Sequence, residues 1–179
     1  MSRVHTIDPA NADAKVAPVL RKVEGAFGAV PNMFAVVANS PAALQSMWGS
    51  FAAFSTGSLG AALGEQIAVA VADRNRCRYC LAAHTVLGGG AGVSGDDMAA
   101  AQQARSSDPA TQALLEFAIE IVENRGQVRE GSVQRLRDHG WTDEQIVETV
   151  AQVALNLFTN YVNIALDVDV DFPEVAFKS

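Results

Sequence analysis

The chain's only two cysteines stand three positions apart, in the run Cys77-Arg78-Tyr79-Cys80-Leu81-Ala82-Ala83-His84. On an α-helix, residues three, four and seven apart share a face, so Cys77, Cys80 and His84 project together. His84 lies one turn beyond Cys80 and is placed to touch it more directly than Cys77. A thiol reacts as its thiolate. An unperturbed cysteine, with a pKa of about 8.5, is mostly protonated at neutral pH, and a neighbouring imidazole and a helix N-terminus bring it down. Nucleophilicity falls with pKa, so ionisation alone gives a modest gain. Positioning and a proton donor for the leaving group must supply the rest.

Three arginines, Arg74, Arg76 and Arg78, bracket Cys77. Arg76, one turn before Cys80, is a supporting candidate that would favour thiolate over thiol; the plainer reading makes all three solvated surface charges, screened by salt. Glu65 is the remaining candidate. It precedes Cys77 by twelve positions, about 18 Å along one straight helix, and joins the site only if the chain bends between them. Asp73-Arg74-Asn75-Arg76 is where a bend is expected, because Asp and Asn compete for backbone hydrogen bonds and favour caps. A helix starting there also points its dipole at Cys77.

Plainer uses of these residues compete. Cys77, Cys80, His84 and Glu65 are together a possible zinc set, although structural zinc sites usually draw a second ligand pair from a distant segment. His5 and His139, the remaining histidines, sit in ordinary polar contexts. A purely structural Cys77–Cys80 disulfide would close too short a loop to stabilise much. Gly90, Gly92 and Gly95 spell GxGxxG but follow a helix rather than a strand, which reads as a helix stop and turn. Asp167, Asp169 and Asp171 imitate the opening of a calcium loop, yet Phe172 and Pro173 stand where its sharp turn needs glycine, so a solvated acidic tail is expected. Trp48, Trp141 and the phenylalanines at helical spacing read as packing, with no sign of a haem or flavin box.

The elements that position these residues read as helices throughout. Ser40-Pro41 is an N-cap and first-turn pair ahead of Leu44, Met47, Trp48, Phe51 and Phe54. Asp108-Pro109 repeats it ahead of Leu114, Phe117, Ile119 and Ile121. Thr142 and Gln145 form a capping box opening a helix that runs to about Leu166. That helix is apolar nearly all round, with small or amide residues as its polar members, which places it centrally or in a subunit interface. Ser94 caps the helix after the Gly-rich turn. LGEQIAVAVADRN faintly echoes TDEQIVETVAQVALN, and in that register Cys77, Cys80 and His84 fall opposite Asn156, Thr159 and Asn163.

A net charge of −7 excludes a nucleic-acid partner held by phosphate contacts. The N-terminal run has no apolar signal region, and Ile146–Val168 is interrupted by Glu148, Gln152, Asn156, Asn160 and Asn163, so no membrane span is expected. A cysteine pair this closely spaced is no secreted-type framework; a reducing, cytoplasmic setting fits it. At 179 residues and 49% hydrophobic, the chain is long enough for one core and one domain.

Glu65, twelve positions on a Cys-x-Tyr-Cys, then Ala82-Ala83-His84, resembles the active-site segment of the alkylhydroperoxidase D-like (AhpD-like) proteins of the carboxymuconolactone decarboxylase superfamily. GAVPNMFAVVANSPAAL near the start and NYVNIALDVDVDFP near the end resemble the flanks of its peroxidase-related branch. The resemblance implies an all-α helical bundle, built as a homo-oligomer (dimer, trimer or hexamer), that reduces hydroperoxides through a dithiol–disulfide cycle. It needs no bound cofactor and is restored by an external dithiol, such as a lipoyl-type reductant. Carried over, Cys80 attacks the peroxide and Cys77 resolves it, while His84 and Glu65 form a proton relay. One departure stands out: the best-known peroxidases have a histidine where this chain has Tyr79, a poor proton shuttle at neutral pH. The decarboxylases proper lack the cysteine pair, which argues against that activity here. The expected organisation is a single AhpD-like domain, with an N-terminal helical arm over about 1–60, a core over about 61–166 and an extended tail over about 167–179. Two other classes compete with the enzyme: a redox-sensing or disulfide-exchange protein using the same pair, and a non-redox binding module, zinc-stabilised or inactive.

Overall fold

The computed structural model describes residues 2–178; Met1 and Ser179, the outermost residues of the expected arm and tail, lie outside the described residues. The described residues form α-helices and no strand: α1 (Ala17–Phe27), α2 (Asn32–Val37), α3 (Pro41–Phe54), α4 (Ala61–Arg74), α5 (Arg78–Gly90), α6 (Gly95–Ala101), α7 (Pro109–Glu123), α8 (Ser132–Asp138) and α9 (Asp143–Ala165). The caps foreseen from sequence are in place. Ser40 Oγ accepts from Ala43 N at 3.2 Å, Asp108 Oδ2 from Thr111 N at 2.8 Å and Ser94 Oγ from Asp97 N at 3.1 Å. Thr142 and Gln145 complete the capping box of α9.

Helix α4 is the centre. From Ile67 to Asp73 every residue is buried, and its Ala and Val side chains let α5, α6, α7 and α9 pack on it from several directions. A helix buried all round has no solvent face to cover. The α1–α3 arm closes one end with an aromatic cluster, in which the Phe34 ring lies 5.8 Å from Phe27 and 5.9 Å from both Trp48 and Phe51. The Gly-rich run is a helix end and turn: Gly90 closes α5, Gly92 takes φ +86° and Gly95 opens α6. Gly88 has its own reason, since a Cβ there would fall 2.4 Å from Met98 of α6. Among the described residues no helix is long and apolar enough to cross a membrane.

After α9 the chain leaves regular structure but not the protein. Val168 N donates to Asn163 O, and Asn32 Nδ2 donates to Asp169 O. Gln102 Nε2 donates to Ala176 O, and Lys178 N donates to Asp73 Oδ2 at 3.0 Å. The tail expected to be merely solvated is therefore docked across the helix bundle.

Candidate active site

The bend that Glu65 required lies where the polar run predicts it. α4 ends at Arg74, and Cys77 N reaches back to Ala72 O at 2.9 Å, closing the helix with Arg76 at φ +59°. A left-handed backbone at a residue other than glycine is strained, and such strain is held where the surroundings over-determine it. The chain reverses there, and α5 runs back along α4. His84 Nδ1 consequently donates to Glu65 Oε2 at 2.7 Å, although the two residues are nineteen apart.

Cys77 is the N-cap of α5 rather than a residue inside it, and its Sγ accepts from Cys80 N at 3.4 Å. Both cysteines are free and buried, 1% and 2% exposed. Two side chains of α9 reach Cys80: Asn163 Nδ2 donates to its Sγ at 3.2 Å, and Thr159 Oγ1, whose own proton goes to Asn156 O, lies 3.9 Å away. These two were not singled out as functional from sequence. The signals were the amide and hydroxyl residues on an otherwise apolar helix, and the echo that set Thr159 and Asn163 opposite Cys80 and His84.

Burial of the Cys80 sulfur opposes its ionisation, but the Cys77 thiol donating to it, the positive charge of His84 and the Asn163 and Thr159 side chains outweigh that, bringing its pKa down to about 6. Cys77 goes the opposite way: its hydrogen bond to Cys80, burial and the Cys80 charge all push it up. Burial depresses His84, yet the charge and hydrogen bond of Glu65, with the Cys80 anion, raise it above the ordinary imidazole range. One sulfur is thus kept as the anion and the other as its proton-bearing partner. Beside them stands His84, whose hold on its proton is strengthened by the Glu65 carboxylate.

Cys80 and His84 share a pocket with Phe27, Phe34, Phe51 and Phe172. Its free volume is about 30 Å³, enough to admit water or a group of similar size. Tyr79 forms part of the wall. Its hydroxyl accepts from Met33 N at 3.2 Å and bonds to Asp171, its ring meets Phe172 edge-on at 5.7 Å, and burial pushes its pKa well up.

The arginines divide. Arg74 pairs with Glu123, and Arg76 lies over the Phe177 ring, 4.4 Å from its centroid. Arg78 stays exposed beside Cys77. A joint zinc set is not formed: among the described residues no three His, Cys, Asp or Glu side chains are placed to hold one ion. Trp48 packs on Phe34 and Trp141 Nε1 donates to Ala110 O, as packing residues do.

Residues 41–124 match the model of the carboxymuconolactone decarboxylase family. That segment holds Glu65, both cysteines and His84 and stops short of Thr159 and Asn163. No curated protein matches the sequence. Among solved structures, a peroxidase-related protein of Ralstonia eutropha JMP134 with an alkylhydroperoxidase AhpD core has TM-score 0.84 and 24% identity, over 95% of this chain and 92% of that one. A peroxidase-related protein of Silicibacter sp. TM1040 has TM-score 0.81 and 20% identity, over 98% and 92%. The debrominase Bmp8 in complex with 2,3,4-tribromopyrrole has TM-score 0.81 and 21% identity, over 96% and 94%. At these identities the likeness is one of fold.

Proposed function

We propose that this chain, which matches the carboxymuconolactone decarboxylase family model over residues 41–124 and shares the fold of a protein with an AhpD core, is an AhpD-like, thiol-dependent peroxidase reducing hydroperoxides through a Cys77/Cys80 dithiol–disulfide cycle. The observation that carries this is the opposite treatment of the two sulfurs, an anionic Cys80 beside the His84–Glu65 pair and a protonated Cys77 within hydrogen-bond reach.

The Cys80 thiolate attacks the terminal oxygen of the hydroperoxide. The O–O bond breaks, an S–OH bond forms, and the departing alkoxide takes the proton held by His84. Cys77 then attacks the sulfenic sulfur; its proton leaves with the hydroxyl as water, and the Cys77–Cys80 bond forms. An external dithiol restores both thiols. The oxygen pair fits the small cavity at Cys80, and the organic part must lie against Phe27, Phe51 and Phe172.

Those aromatic walls also favour a second substrate class. A soft thiolate at the foot of an aromatic pocket can take halogen from an activated ring, and a debrominase shares the fold. Supplying dithiothreitol and measuring both consumption of cumene hydroperoxide and release of bromide from a bromopyrrole tests the two together. Many equivalents of peroxide consumed, and lost in Cys80→Ser, support the peroxidase. Bromide release without peroxide turnover favours dehalogenation, and one equivalent of peroxide followed by a stall favours a redox sensor.

The site is proposed to work in the cytoplasm within a homo-oligomer, since Val147, Val150 and Tyr161 leave apolar surface exposed along α9.

A further inference from the structure

The two sulfurs face different openings. Cys80 lines the aromatic pocket with His84. Cys77 lines a separate cavity of about 190 Å³, formed by the N-terminus of α5, the end of α9 and the start of the tail. Arg76, Arg78, Asn163, Ile164 and Asp167 share that cavity, and Tyr79 alone lines both. Asn163 connects them through the protein. Its Nδ2 donates to Cys80 Sγ at 3.2 Å, while its Oδ1, on a side chain only 4% exposed, has no hydrogen-bond partner. A buried carbonyl without a donor is costly, so Asn163 is held in place for what its amide N–H does at Cys80.

Once Cys77 and Cys80 are joined, an incoming thiolate must choose a sulfur. Thiol–disulfide exchange expels more readily the thiolate that is better stabilised. Cys80 has the Asn163 amide donor and the His84 charge to receive the electron pair; Cys77 has the backbone N–H groups of Cys80 and Tyr79 but no side-chain donor or positive charge of that kind. Access favours the same choice, because Cys77 and not Cys80 borders the second cavity. Exposed Arg78 and the positive end of the α5 dipole favour the approach of an anion there, against the single carboxylate of Asp167.

Resting on the dithiol cycle proposed above, we propose that the reductant is a dithiol that enters through the Cys77 cavity, apart from the substrate pocket, and attacks Cys77 Sγ. Its thiolate bonds to Cys77 Sγ, the Cys77–Cys80 bond breaks, and the electron pair passes to Cys80 as thiolate. The second thiol of the reductant then attacks the reductant's own sulfur in the mixed disulfide. It expels Cys77, which takes up that thiol's proton. The dithiol leaves as a disulfide, oxidised by two electrons, and the protein regains one thiolate and one thiol.

The test forms the protein disulfide with diamide, so that it does not depend on the identity of the electrophilic substrate. A monothiol that cannot complete the second step, 2-mercaptoethanesulfonate, is added; the released protein thiol is capped with N-ethylmaleimide and both sites are located by peptide mass spectrometry. The expected result is the sulfonate adduct on Cys77 and the maleimide on Cys80, with Arg78→Glu slowing the exchange about fivefold. An adduct mainly on Cys80, an even split, or an Arg78→Glu rate equal to wild type overturns the inference and leaves the dithiol cycle intact. Failure of diamide to join the two cysteines overturns the cycle and the inference with it.

Discussion

Cys80 is the residue whose chemistry is set by its neighbours more than by its own nature. Burial alone would keep it a thiol; the donors and the imidazolium around it reverse that, with a midpoint of about 6. Thiolate absorbance at 240 nm should therefore rise as pH increases through about 6 and be complete at neutral pH, and His84→Ala should move the midpoint up toward the ordinary thiol range. A profile unchanged by His84→Ala would remove the imidazole from the site. The relay adds a second sign. His84 must keep its proton to give it to the leaving oxygen, and Glu65 raises its pKa, so the wild-type rate rises through the Cys80 transition and falls only where His84 deprotonates. Glu65→Gln releases His84 toward its unperturbed range and should bring that alkaline fall to lower pH, with a loss of about tenfold or more at neutral pH. A pH–rate profile of peroxide consumption measures both limbs; an alkaline limb that stays in place contradicts the role given to Glu65.

At the scale of the elements, much was legible because it rests on local rules. Ser40-Pro41, Asp108-Pro109, Ser94 and the Thr142–Gln145 box announced four helix starts through capping chemistry that acts within one turn. Asp73 to Arg76 marked the break that brings Glu65 back to His84. Thr159 and Asn163 were harder to see, because their partner Cys80 lies 79 and 83 residues away, and no local rule connects them. The docking of the tail is hidden from local sequence for the same reason. Its aspartates do reach solvent, but Phe172 and Phe177 find their partners, Tyr79 and Arg76, on either side of Cys77. Phe177→Ala, which removes the Arg76 stack, should cost about 0.5–1 kcal/mol, a fall in melting temperature of about 1–4 °C for a chain of this size. Calorimetry would detect it, and an unaltered melting temperature would mean that the stack holds nothing.

The whole molecule has a central helix built from small residues, an aromatic arm over one end and a cysteine-bearing helix terminus bordered by the tail. Val147 is 68% and Tyr161 58% exposed on the same long helix. Charges placed there, in Val147→Glu with Tyr161→Arg, should lower the mass seen by sedimentation while leaving the helical signal intact; a monomeric wild type would contradict the assembly proposed for this face. The central claim is that Cys80 is oxidised first and Cys77 resolves it. Its most direct measurement treats wild type and Cys77→Ser with one equivalent of hydroperoxide and maps the products by dimedone labelling and mass spectrometry. The expected result is a Cys77–Cys80 disulfide in wild type and a dimedone-labelled sulfenic acid on Cys80 in the variant. A Cys77→Ser variant with no sulfenic acid on Cys80, or thiols untouched in both proteins, would contradict it.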